Sequence, residues 1–156
     1  MRRAAVLLTA AAVILLLAGC GAAETEPSVP ADPISENREE ITMKMSISDV
    51  PVAVQWEDNE SVRALQKMTE EGPVTIEMSM YGGFEQVGPI GTPLPRSDRP
   101  TDTKPGDLVL YSGDQLVVFY GSNSWSYTRL GHITDRSAEE LKELLGQEDV
   151  TVRLSP

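Results

Sequence analysis

One cysteine and one histidine are present in 156 residues. A lone cysteine closes no disulfide within the chain, and without a second thiolate or imidazole beside it His132 cannot build a zinc site. No Asp-x-Asp-x-Asp run offers a calcium loop. Gly82, Gly83, Gly88 and Gly91 are not followed by the Gly-Lys-Ser/Thr of a phosphate-binding loop. The hydroxyl residues between Ser122 and Thr134 lack a Gly-x-Ser-x-Gly elbow. Glu39-Glu40, Glu70-Glu71 and Glu139-Glu140 fall at tether or helix positions, where adjacent acids form solvated faces rather than an acid/base dyad. These absences lead us to expect no metal, no cofactor and no catalytic residue, with His132 a structural histidine.

Positive charge is also scarce. Thirteen Lys and Arg face 24 Asp and Glu, a formal charge of −11. Removing Arg2 and Arg3 with a leader peptide would take −11 to −13. Affinity for nucleic acid comes largely from basic side chains that displace counterions, so nucleic acid is excluded as a partner.

The single cysteine has a telling position. Arg2 and Arg3 precede an apolar run from Ala4 to Leu17, broken only by Thr9 and ending in Leu17-Ala18-Gly19-Cys20. Fourteen residues fall short of the roughly 20 that span a bilayer core, and the pattern fits a secretory signal. It resembles the signal of bacterial lipoproteins, which implies cleavage before Cys20 and a lipid on its sulfur. Residues 1–19 are then a signal peptide, and Cys20 is the lipidation site. The protein is expected outside the cytoplasm, a monomer held to the cell membrane by that lipid. Residues 20–40 carry three prolines, six acids and few large apolar side chains, a composition that cannot offset its ordering entropy and reads as a tether.

From residue 41 to 156 the composition is that of a folded domain. Met43, Met45 and Ile47 alternate with polar residues, as do Val52, Val54 and Trp56, which predicts a hairpin turning at Asp49-Val50-Pro51. Asn59 is placed to cap a helix carrying Val62, Leu65 and Met68 and ending at Gly72. Val74 to Met80 alternates as a strand, and the Gly- and Pro-rich segment from Tyr81 to Gly106 predicts turns with irregular or short-stranded structure. Leu108 to Tyr111 and Leu116 to Tyr120 read as a hairpin of buried strands, followed by a strand over Ser126 to Ile133. Ser137 and Glu140 form a capping box before a helix closed by Gly146, and Val150 to Leu154 alternates once more. Seven or eight short strands with two helices, lacking regular strand–helix alternation, predict a mainly β fold: a small closed or nearly closed antiparallel barrel.

Aromatic residues number only eight, yet Phe119, Tyr120, Trp125 and Tyr127 lie within nine positions. No charge interrupts Gln115 to Thr128 before Arg129. Phe119 reads as core, and Tyr120 as alternating outward toward Trp125. Two roles fit the rest of the cluster. It could shield one end of the barrel, with Arg129 paired to one of many acids. Alternatively, Trp125, Tyr127 and Arg129 line a peptide or small-molecule groove, with Phe84 from the Gly-rich loop opposite; Trp, Tyr and Arg are enriched where binding energy concentrates.

Two stretches, Pro105-Gly106-Asp107-Leu108 and Tyr120 to Gly131, in the same order of elements, resemble the bacterial cyclophilin-like domain family over about Met43 to Leu154. The resemblance implies a small β-barrel with the cyclophilin fold and no settled biochemical role. Cyclophilins proper isomerise the bond before proline, using an arginine near a phenylalanine and a histidine early in the chain. No such triplet occurs here, and Arg129 does not match the catalytic position. A binding module without catalysis is therefore the leading expectation. A weak prolyl isomerase and a structural module of the cell envelope are the alternatives.

Overall fold

Ten strands, all paired antiparallel, and two helices form within residues 40–156, the part of the chain that the computed structural model describes. Cys20, the signal segment and the tether up to residue 39 lie outside the described residues. In chain order the elements are β1 Lys44–Ile47, β2 Val50–Val52, β3 Val54–Trp56, α1 Glu60–Glu70, β4 Val74–Tyr81, β5 Glu85–Pro89, β6 Arg99–Asp102, β7 Asp107–Tyr111, β8 Gln115–Phe119, β9 Ser124–Ile133, α2 Ala138–Leu145 and β10 Val150–Ser155.

Nine strands follow one another in the order β2, β1, β10, β4, β5, β8, β7, β9, β3, and β6 pairs separately with the start of β9. The two ends of this path, β2 and β3, are separated in the chain by Ala53 alone. Thr134 N donates to the Ala53 carbonyl at 2.9 Å, tying the seam to the end of β9. The sheet therefore curls back on itself into a nearly closed barrel, which leaves little free edge.

The first expected hairpin is corrected by this closure. Ser48 and Asp49, both with positive φ (46° and 67°), make the tight turn, and only Val50–Val52 returns along β1. Val54–Trp56 leaves it to pair with β9. The alternation of Val52, Val54 and Trp56 is continuous because the two strands differ by one residue of separation, not because they form one strand. Within the Gly- and Pro-rich middle, β5 and β6 are the short strands.

The barrel interior is filled by the inward set of each strand, such as Ile47, Ile76, Leu108, Leu116, Leu130 and Val152, each at most 1 % exposed. Val62 and Leu65 of α1 and Leu141 and Leu145 of α2 join the same core. Side chains of this kind contribute about 1.5–3 kcal/mol each when buried. Both helices begin as expected: Asn59 Oδ1 accepts from Val62 N at 3.0 Å, and Ser137 and Glu140 form a reciprocal capping box.

Strands β7 and β8 differ from the others in being apolar on both faces. Leu108, Leu110, Leu116 and Val118 point inward, whereas Val109, Val117 and Phe119 form a second buried cluster with Tyr127. That second cluster lies on the outside of the barrel wall and explains why Leu116 to Tyr120 is an unbroken apolar run.

Candidate functional site

The outer cluster is set by strand register. Val87 of β5 pairs with Val117 of β8, Val117 with Val109 of β7, and Val109 with Arg129 of β9, so these four form one row across the wall. In the neighbouring row Glu85 pairs with Tyr81 on one side and Phe119 on the other. Phe84 stacks on Phe119 with ring centroids 6.5 Å apart and planes 4° from parallel. Tyr127 meets Phe119 edge-on at 5.8 Å, and Tyr111 meets Tyr127 edge-on at 6.1 Å. Offset-stacked and edge-on pairs are the favoured arrangements of aromatic rings.

Gly121 allows the Phe84 end of this array to close. The Phe84 carbonyl accepts from Tyr120 N at 3.0 Å and from Gly121 N at 2.9 Å. A Cβ at position 121 would lie 2.6 Å from Phe84 Cβ, inside van der Waals contact.

Beyond these packed rings the same face opens into a recess of about 370 Å³, within the size range of small-ligand sites. Val87 and Val117 form its floor, and Tyr81, Tyr111, Trp125 and Tyr127 its walls, with Asn123 at one end. Asn123 Nδ2 donates to the Tyr127 hydroxyl at 3.0 Å, fixing that ring. Burial pushes the Tyr127 phenol up, the nearby Glu85 carboxyl adds to the rise, and the Asn123 hydrogen bond opposes it. Glu85 is the one charged residue of the lining. It is only 6 % exposed, its Oε2 has no hydrogen-bond partner, and burial raises its carboxyl from 4.5 to about 7. Desolvation acts this way on any acid, because it disfavours the charged form.

The four residues proposed from sequence for a groove are divided by the structure. Trp125 and Tyr127 line the recess. Phe84 lies beside it, packed on Phe119, and does not line it. Arg129 stands at the far end of the valine row and is engaged elsewhere. Its Nη2 and Nη1 reach Asp107 Oδ1 and Oδ2 at 2.9 and 3.4 Å, and its Nε lies 3.6 Å from Glu57 Oε1. Asp107 is fully buried and also accepts from Lys104 N at 3.0 Å, with His132 Nδ1 2.8 Å from its Oδ1. Arg129 and His132 thus hold a structural carboxylate. Tyr120, expected outward, points into the barrel core: Leu116 and Val118 set the inward phase of β8, and Tyr120 continues it while Phe119 takes the outside. Sequence reasoning missed Tyr81, Tyr111 and Glu85. Their signal was weak, since two are the last residues of their strands and the third is one acid among 24 acidic residues.

The barrel with its two helices accords with what known proteins show. A sequence profile of the cyclophilin-like family matches residues 45–155. The chain belongs to the cyclophilin-like family. No curated protein matches it. Among solved structures, McbB in complex with tryptophan is similar with a TM-score of 0.54 at 14 % identity, over 72 % of this chain and 44 % of that one. This cyclophilin-like chain therefore spans less than half of McbB, and the likeness is one of fold.

A larger groove of about 880 Å³ runs between the start of α1 and the segment around β6 of this cyclophilin-like barrel. Three of its four arginines are paired with acids. Arg63 pairs with Asp58, Arg96 Nε lies 3.4 Å from Asp98 Oδ2, and Arg129 is shared by Asp107 and Glu57. The smaller recess is the better candidate, because it combines exposed rings with a buried acceptor that nothing satisfies. Among the described residues no group of three His, Cys, Asp or Glu could hold a metal ion.

Proposed function

We propose that this cyclophilin-like barrel is a binding module, taking a small ligand or a peptide side chain in the outer recess and doing no chemistry on it. The observation that carries this reading is the exposure of three large aromatic residues around one concavity. Tyr81 is 67 %, Trp125 62 % and Tyr111 41 % exposed, and all three line the recess. Folding alone gives no reason to leave three large rings in water side by side, and clustered exposed apolar surface marks interaction sites. McbB, which shares this fold over 44 % of its length, forms a complex with tryptophan.

The module is tethered, in this proposal, through a lipid on Cys20, outside the cytoplasm and at the membrane, as a monomer. The lone cysteine after a short apolar run supports that reading. Acyl labelling is expected to disappear in Cys20→Ala, and equal labelling of variant and parent would refute the anchor.

Titrating the isotopically labelled protein with a short Ala-Pro peptide tests binding against catalysis. Shifts confined to residues around Trp125, with unchanged cis–trans exchange of the peptide, are expected. Accelerated exchange would instead make the protein a prolyl isomerase. Shifts confined to the polar groove around Arg96 would overturn the assignment of the recess.

A further inference from the structure

Only two buried side-chain atoms among the described residues lack a hydrogen-bond partner, Glu85 Oε2 and Gln86 Oε1. They belong to adjacent residues of β5 and face opposite sides of the wall. Gln86 faces inward and serves the fold, since its Nε2 donates to the carbonyls of Leu145 and Glu148, both at 2.7 Å, holding the end of α2. Glu85 faces the recess and holds nothing. An unmet buried acceptor destabilises the fold, the more so when charged.

We propose that the recess recognises a primary ammonium group, whose N–H donates to the Glu85 carboxylate while its apolar stem packs on Val87, Val117 and the surrounding rings. The proposal rests on the reading of the recess as a ligand site, and it names the chemistry of the ligand. An ionised carboxylate only accepts hydrogen bonds, so its partner must be a donor, and a cationic donor is the strongest. Tyr81, Tyr111, Trp125 and Tyr127 present rings to the same space, and ring faces attract cations within about 6 Å. No Lys, Arg or His lines the recess to compete for the carboxylate. The formal charge of −11 favours the approach of a cation. An anionic ligand would meet an unfavourable field on each of these counts.

The carboxyl adds a pH dependence of defined sign. Burial pushes it up from 4.5 to about 7. The other titratable groups near it are phenols: Tyr81 on β4, Tyr111 on β7, Tyr127 on β9 and Tyr120 just after β8. Between pH 5 and 8 the carboxyl is therefore the group whose charge changes. Ammonium binding requires its ionised form, so affinity is level above pH 7 and falls about tenfold per pH unit below it.

The amine could be free or could be a lysine of a peptide, and both sources are tested together. The full chain in a non-ionic detergent is titrated by NMR with phenethylammonium, with its neutral N-acetyl derivative, and with the blocked tripeptide acetyl-Ala-Lys-Ala-amide. At pH 8 phenethylammonium, the tripeptide, or both should bind at the recess at least tenfold tighter than the N-acetyl compound; the tighter of the two names the source. Glu85→Gln should abolish that preference while N-acetyl binding persists, which also reports an intact recess. Equal binding of amine and N-acetyl compound would overturn the ammonium assignment and leave the recess standing as a ligand site. Binding of none of the three would overturn both. Affinity for the amine that rises as pH falls below 7 would likewise refute the proposal, since a protonated carboxyl would then be the recognising form.

Discussion

Replacing Glu85 by glutamine should make the protein more stable, by an amount that grows as pH rises from 4.5 to about 7. Below pH 4.5 the carboxyl is protonated in the folded and the unfolded chain alike, and its burial adds no electrostatic penalty. Between 4.5 and about 7 the unfolded chain has released the proton while the folded chain keeps it, so rising pH favours unfolding. Above 7 both states are ionised and the penalty is constant. A rise from 4.5 to about 7, at about 1.4 kcal/mol for each tenfold change in proton affinity, amounts to roughly 3 kcal/mol. Water drawn to the carboxylate and the amide's own unmet groups reduce the net gain, so Glu85→Gln should stabilise by about 1–3 kcal/mol at pH 8. Urea unfolding of parent and variant at half-unit steps from pH 5 to 8.5 measures this. The difference between them should grow with pH and level off above 7. Parallel profiles across the whole range would mean that the carboxyl is solvated or paired in the fold, and the reasoning about the recess would fail with it.

Two further perturbations probe the framework around the site. Asp107→Ala removes the shared partner of Arg129, His132 and the Lys104 amide from a fully buried position and should cost about 3 kcal/mol in denaturant unfolding; a loss under about 1 kcal/mol would show that this carboxylate is not a structural hub. Gly121→Ala sets a methyl 2.6 Å from Phe84 Cβ and should cost about 1–3 kcal/mol, with faster amide hydrogen exchange at Tyr120 and position 121; unchanged exchange would mean the hairpin carrying Phe84 does not depend on that close approach.

The barrel was legible because its signals are local. Alternation at Met43 to Ile47, Val74 to Met80 and Val150 to Leu154 reports half-buried strands directly, and Asn59 and Ser137 report helix starts by short-range hydrogen bonds. The strand that closes the barrel was not legible in the same way: Val54 to Trp56 continues the period of Val52, and only its pairing with β9, some 75 residues on, reveals a separate strand. β6 escaped as an individual strand because Arg99, Pro100, Thr101 and Asp102 carry no apolar alternation, their pairing with β9 being made by backbone. For the site, the density of rings after Phe119 pointed to Trp125 and Tyr127, which line one recess. It could not show that Arg129, on that same face, is already held by Asp107. Nor could it show that Tyr81 and Tyr111, from strands far apart in sequence, complete the walls around Glu85. Cross-strand register decides such neighbours, and register is a property of the closed sheet.

Binding at the outer recess can be read from the protein's two tryptophans. Trp125 lines the recess, whereas Trp56 lies on β3 with its Nε1 donating to the Met43 carbonyl at 2.7 Å. Labelling both with 5-fluorotryptophan and recording ¹⁹F spectra against a set of small aromatic and amine compounds separates the two positions in one experiment. Saturable shifts of the Trp125 signal are expected, with the Trp56 signal unmoved. Saturable binding that leaves Trp125 untouched, or moves Trp56 instead, would contradict binding at the recess.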